Sequence, residues 1–316
     1  PDNAIDKFCE DSAGNIWMLH DNYAVLTKYN PHSENFALYP YGDNNRSTVI
    51  PGYVSDLVTN RQGKIWIGTD AGLFFYDEAS DKMINLSAPD TLCNPNIRCL
   101  MIDHNGWLWI GTANGINIYD PVHKKLSLFN PSDKNYAAIR KQVQFIMEDH
   151  SGNIWIRLSW INALNGGIYR YNPSTGVSKI YRHSTTDPHS LSAGAINTLI
   201  EDSHHTIWAC MYEGGLCAYQ PATDNFINYR ADATNRYALN SDQVINLFED
   251  RSGVFWIGTN GGGMNNCYLT KKRFTVYQNY DKEFISHWPL SLYKDHSGKI
   301  YLTTLGAGVH EFNAAT

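Results

Sequence analysis

No stretch of the 316 residues approaches the ~18 consecutive apolar residues of a membrane-spanning helix, and the chain has no signal-like beginning. Charge is sparse as well. Asp, Glu, Lys and Arg together make up 18% of the chain, and the net charge is −6. Lys271, Lys272 and Arg273 form the one basic run, which a solvated turn explains. Without a basic stripe to meet phosphates, nucleic acid is not expected as a partner. Cys9, Cys93, Cys99, Cys210, Cys217 and Cys267 show no zinc-finger spacing. Cys210 and Cys217 could lie on neighbouring strands, but small buried apolar residues are the simpler reading of all six. Cysteine therefore does not fix the compartment. Also missing are a Gly-x-Ser-x-Gly elbow, a phosphate loop and a His-Glu-x-x-His pair.

What the chain does have is one phrase, used repeatedly. Residues 248–263 read FEDRSGVFWIGTNGGG: an apolar close, a turn at 250–253, a β-branched and aromatic run, then glycines. Asp can bond nearby backbone and Gly can take φ > 0, so this predicts strand, tight turn, strand, turn. The phrase recurs at 9–19, 58–73, 101–116, 147–158, 200–216 and 293–309. Its aromatic anchors are Trp17, Trp66, Trp109, Trp155, Trp208, Trp256 and Tyr301, spaced 43 to 53 residues apart. Such a period with several short strands per unit is the signature of propeller blades.

Each unit reads as four strands. The first ends in Glu/Asp (196–200, 244–248), and the second carries the Trp. The third follows a Gly-Leu or Gly-Ile turn (73–76, 116–119, 168–171), and the fourth is short and aromatic (126–129, 178–181, 226–229, 274–277). Proline after Asn30, Asp120, Asn172 and Gln220 ends the third strand, since it cannot donate to a ladder. A single four-stranded sheet cannot bury both faces, whereas stacking around an axis buries them in neighbours. The prediction is an all-β, seven-bladed β-propeller of four-stranded antiparallel blades. It would be a single domain over 1–316, with blades at about 1–45, 46–90, 91–135, 136–185, 186–235, 236–280 and 281–316. The anchor Trp is read as filler between blades.

The recurring Glu-Asp-x-x-Gly-x-x-Trp-Ile-Gly-Thr-x-x-Gly-Leu phrase resembles the two-component regulator propeller repeat, over residues 4–312. That repeat builds the extracytoplasmic sensor regions of hybrid two-component histidine kinases of Bacteroidetes. The resemblance implies a periplasmic, ligand-sensing propeller that recognises an oligosaccharide and regulates polysaccharide use. It implies as partners a second propeller and further domains of the same receptor, and leaves room for a homodimer of the complete receptor. Kinase activity would reside in domains that this stretch does not include. The chain opens inside a repeat, which reads as a mature or excised fragment.

Candidate chemistry divides by position in the repeat. His104, His150, His204, His205 and His296 fall in the turn between the first two strands, a blade apart, and read as surface turn residues. The recurrent Glu-Asp pairs (10 and 11, 148 and 149, 201 and 202, 249 and 250) read as scaffold. No catalytic residue, metal or cofactor is expected. The informative positions are those where the phrase breaks its own rule, on the rim that carries the loop after the Trp strand. Blade four has Arg157 followed by an insertion with Trp160 and Asn162; blade five has Tyr212 and Glu213; blade one has His20 and Asp21. Such side chains stack on or hydrogen-bond sugars, although local repacking of a longer loop would also explain them. Arg98, Gln144, Asn197 and Asn246 are polar near the start of the first strand, where solvent in a channel would suffice. A propeller enzyme (polysaccharide lyase or hydrolase) and a protein-docking scaffold remain as alternatives. The seventh unit ends without a fourth strand, so a segment upstream of residue 1 is expected to complete it, with blades one and seven the least stable.

Overall fold

The computed structural model describes residues 5–20, 25–40, 50–86, 92–131, 133, 135–140, 143–158, 166–235, 237–268, 273–277, 289–294, 300–304 and 308–312. Apart from a 3-10 turn at Tyr136–Ala138, every regular element among them is a strand. The first sheet contains β1 (Ile5–Glu10), β2 (Ile16–His20), β3 (Val25–Asn30) and β4 (Asn35–Pro40). The second contains β5 (Val54–Thr59), β6 (Ile65–Thr69), β7 (Gly72–Asp77) and β8 (Lys82–Asn85). In the third are β9 (Ile97–Ile102), β10 (Leu108–Thr112), β11 (Gly115–Asp120) and β12 (Lys125–Leu128). The fourth holds β13 (Ile146–Glu148), β14 (Ile154–Leu158), β15 (Gly167–Tyr171) and β16 (Ser178–Tyr181). The fifth is β17 (Ile196–Glu201), β18 (Ile207–Met211), β19 (Leu216–Gln220) and β20 (Asn225–Tyr229). The sixth is β21 (Val244–Glu249), β22 (Val254–Thr259), β23 (Gly263–Tyr268) and β24 (Arg273–Tyr277). The last has three strands, β25 (Pro289–Lys294), β26 (Ile300–Thr304) and β27 (Gly308–Phe312). These are the seven blades that the anchors predict, the last of them incomplete.

Strand order follows chain order in every sheet, the mark of a meander. The Trp strands β6, β10, β18 and β22 are buried on both faces, whereas β4, β8 and β12 are largely exposed. Apolar content tracks that gradient, from Ile-Trp-Ile in the middle to Lys-Leu-Ser-Leu at the edge. The chain divides into two compact units, one of Asp6–Leu158 and Tyr169–Lys179, the other of Pro1–Ile5, Ser159–Ile168 and Ile180–Thr316. Strands β2–β12 belong to the first and β17–β23 to the second. In the first unit, Trp17, Leu26, Leu57, Ile65, Phe74 and Tyr76 form one core between sheets. In the second, Trp208, Leu216, Leu247, Phe255 and Ile257 form another.

A register shift recurs at the start of the first strand, between Val54 and Asp56, Ile196 and Thr198, and Val244 and Asn246. One extra residue there sharpens the twist and leaves a backbone N–H to be satisfied. Asp56 Oδ1 accepts from Leu57 N, and Asn246 Oδ1 from Leu247 N, both at 2.8 Å. Asp56 also joins three sheets, because its carboxylate accepts from Lys7 Nζ and, at 2.8 Å, from Leu100 N. The Gly of Ile-Gly-Thr sits opposite this bulge for want of room. A Cβ on Gly68 would lie 2.6 Å from Ile97 Cγ2, and one on Gly111 would lie 2.9 Å from Val143 Cγ1.

Candidate functional site

The spacing of the repeated phrase has a physical cause in the turn between first and second strands. Its Asp accepts an indole N–H from the Trp six residues on: Trp17 to Asp11 and Trp109 to Asp103 at 2.9 Å, Trp155 to Asp149 and Trp208 to Asp202 at 2.8 Å, Trp256 to Asp250 at 3.1 Å. The other carboxylate oxygen caps the turn, as when Asp149 Oδ1 accepts from Ser151 N at 3.0 Å and Asn153 N at 2.8 Å. In the second sheet Asn60 takes the place of Asp and keeps only the cap, accepting from Gln62 N and Lys64 N.

The Glu beside that Asp faces the preceding sheet. Glu148 accepts from His104 N at 2.6 Å and pairs with His104 Nδ1. Glu249 accepts from Ser203 N and Ser203 Oγ, both at 2.6 Å. Hydrogen bonding to Glu148 raises the His104 imidazole above its ordinary value. The stabilisation from that pair is complete below the ordinary imidazole range and fades as pH rises through the raised value. These carboxylates are therefore engaged in holding turns and sheets.

Where the phrase departs from its rule, the structure brings some of the candidates together. In the first unit Arg157, on β14, stands at the position that Gly68 and Gly111 occupy in their sheets. Its Nη2 donates to Gln144 Oε1 at 3.3 Å. Burial lowers the guanidinium from its ordinary value, and the Cys99 side chain lies nearby. Burial in turn pushes the Cys99 thiol far up, so it is inert, and its Sγ lies 3.6 Å from Val143 O. The sequence gives no sign of this neighbour, because it depends on which residue the adjacent sheet presents. Arg98 is exposed on β9. His20 is only 4% exposed, with Nε2 2.9 Å from Thr27 Oγ1. It stands where Thr69 and Thr112 stand, whose hydroxyls donate to Gly72 O and Gly115 O. Asp21, Trp160 and Asn162 lie outside the described residues.

In the second unit, Asn197 Nδ2 donates to Val244 O at 2.7 Å, tying β17 to β21. Ser55 makes the same tie in the first unit, donating to Ile97 O at 2.7 Å. Asn197 is thus engaged in scaffolding. Tyr212 and Glu213 are exposed on the turn after β18, where Tyr212 N donates to Ala195 O at 3.0 Å. The Glu213 carbonyl accepts from Arg230 Nη2 at 3.2 Å, and Arg230 is paired with Asp242, which leaves the turn rigidly backed.

Residues 91–114 and 238–261, each running from the approach to the first strand through the Trp strand, match the family described as two component regulator propeller. These two stretches are regulator propeller repeats. No curated protein matches it. Solved structures show the same propeller fold. The extracellular domain of a hybrid two component system from B. thetaiotaomicron superposes with a TM-score of 0.77 at 19% identity, covering 98% of this chain and 40% of that one. PorZ, a surface component of the type-IX secretion system of Porphyromonas gingivalis, gives 0.75 at 16%, covering 98% and 46%. Virginiamycin B lyase from Staphylococcus aureus gives 0.65 at 13%, covering 98% and 95%. This chain thus spans less than half the length of the first two.

Proposed function

We propose that this chain is a ligand-sensing propeller from the extracytoplasmic region of a hybrid two-component receptor, and that its ligand is an oligosaccharide whose arrival regulates polysaccharide use. The repeat family and the similar extracellular domain from B. thetaiotaomicron support the receptor reading and, with it, a periplasmic location. A second propeller and the signalling domains would be its partners within one receptor, with room for a homodimer of the complete receptor.

The observation that carries the reading is how the polar groups are deployed. The recurrent carboxylates are bound to indoles and to neighbouring turns, as in Asp250 with Trp256 and Glu249 with Ser203. What replaces the small residues of the phrase is an exposed Tyr212-Glu213 pair and the Arg157–Gln144 pair. Such groups stack on a pyranose or hydrogen-bond its hydroxyls without transferring a proton. Virginiamycin B lyase is similar to this chain in fold alone, at 13% identity.

Calorimetry against a panel of neutral and acidic oligosaccharides, with a parallel assay for new reducing ends, tests this. At least one oligosaccharide should bind without being cleaved. Tyr212→Ala or Glu213→Ala should weaken binding about tenfold, the usual cost of roughly 1.4 kcal/mol for a lost stacking or charged contact, with the melting temperature unchanged because both side chains are exposed. Cleavage abolished by one substitution would replace the sensor with an enzyme. Binding unchanged in both variants would move the site away from these loops.

A further inference from the structure

Register across the sheets shows what lies beside each anchor Trp. The residue paired with it on the third strand is Lys28 for Trp17, Phe75 for Trp66, Ile118 for Trp109, Ala218 for Trp208 and Asn266 for Trp256. Cations of the chain itself rest on several of these rings. Lys28 Nζ is 5.5 Å from the Trp17 ring centre and 4.8 Å from that of Tyr76 in the next sheet. Lys64 Nζ is 4.8 Å from Trp66, and Arg170 Cζ is 5.7 Å from Trp155. At Trp208 the paired residue is alanine, the smallest of the set.

The next sheet is cut back as well. Tyr76 packs 4.7 Å from Trp17 and Tyr119 5.4 Å from Trp66. The residue at their register position in the sixth sheet is Cys267, opposite Phe255. Two side chains are thus shortened at one place, and a cavity of about 210 Å³ opens there. Its aromatic walls are Trp208, Tyr229 and Phe255, with the Tyr229 ring 5.6 Å and the Phe255 ring 5.5 Å from Trp208. Thr206, Gln220 and the exposed Ile227 border it. The indole of Trp208 donates to Asp202 at 2.8 Å, which polarises the ring toward a more negative face.

We propose that this cavity between the fifth and sixth sheets binds an alkylammonium group, taking in from outside the cation that other repeats supply from their own chain. Three ring faces suit a quaternary or methylated ammonium, which needs π surface and has few or no donors to satisfy. A pyranose fits poorly, because beyond the Tyr229 hydroxyl the lining offers only Thr206 and Gln220 as polar side chains, and Gln220 Nε2 already donates to Tyr219 O at 3.2 Å. The net charge of −6 favours a cation over an anion at long range. This site is separate from the loops assigned to oligosaccharide.

Tryptophan fluorescence titration of the whole chain with choline, against its neutral isostere 3,3-dimethylbutan-1-ol, is the test. Choline should bind on the order of tenfold more tightly than the isostere, the range of a desolvated cation–π contact. Ala218→Lys should abolish choline binding by placing an internal cation on Trp208, and should leave oligosaccharide binding unchanged. Ala218→Ile, which fills the space without charge, should also abolish it and guards against a misfolded lysine variant. A short peptide bearing one trimethyl-lysine separates the sources: tighter binding than choline assigns the group to a polypeptide side chain, weaker binding to a small free ligand. Equal affinity for choline and the isostere, or choline binding that survives both substitutions, overturns the proposal.

Discussion

Asp250→Ala is expected to cost about 3 kcal/mol, on the scale of several charge-assisted hydrogen bonds lost from a buried turn. For a chain of this size that lowers the melting temperature by about 4 to 5 °C. The carboxylate accepts from Ser252 N and Val254 N at 2.8 and 3.2 Å, from Ser252 Oγ at 2.5 Å and from Trp256 Nε1 at 3.1 Å. Alanine leaves the indole and the turn without their acceptor. Asp250→Asn should fall between, because an amide oxygen can still cap the turn, as Asn60 does, while its nitrogen faces the indole N–H. A pH signature accompanies this. Burial would raise the Asp250 carboxyl, but the hydrogen bonds from Ser252, Trp256 and the backbone outweigh it and hold the group below its ordinary value of 3.8. A depressed carboxylate stabilises the fold fully above its unfolded value and loses that contribution as pH falls through the folded one. Thermal melts of wild type and Asp250→Ala should therefore converge as pH drops below about 4. Equal melting temperatures at neutral pH would show that the indole bond contributes nothing.

Gly215→Ala is expected to be costlier still, at about 4 kcal/mol, combining a left-handed backbone with overpacking. Gly215 has φ +72, and an added Cβ would run into the Tyr229 carbonyl oxygen, with Tyr229 C at 3.1 Å and Arg230 Cα at 3.2 Å. All three are backbone atoms at the end of β20 and just beyond it, so no side-chain rotation relieves them. Gly261 is the internal control. Its φ is +71, yet nothing lies within 4 Å of the added carbon, so alanine there should cost about 1 kcal/mol. Urea unfolding of the two variants separates conformational preference from close approach. Similar losses in both would mean that the β20 edge yields easily.

The fold was legible because one phrase is repeated with its turn residues at fixed offsets. The fourth strands expected at 126–129 and 178–181 are observed at Lys125–Leu128 and Ser178–Tyr181. The recurrent Asp was legible as scaffold, but its bond to the indole six residues on needs the turn in three dimensions. Arg157 stands out in the sequence because it breaks the Gly rule. Its burial beside Cys99 does not, since that contact is set by the neighbouring sheet. His20 reads as a rim residue from its place in the phrase, and only packing reveals its hydroxyl partner Thr27. Ala218 illustrates the opposite case. A small residue carries no signal until register aligns it with Lys28 and Phe75 and shows what is missing.

The bond from Asp to the indole six residues later also bears on the order in which the chain acquires structure. Closing so short a loop costs little entropy and takes well under a microsecond, whereas Glu249 must find Ser203 across 46 residues and Glu148 must find His104 across 44. Each Trp hairpin is thus a local nucleus, and in a refolding experiment its indole would reach a native-like environment before adjacent sheets dock. Five such hairpins among the described residues give five independent starting points, so no single substitution in a hairpin should dominate the folding rate.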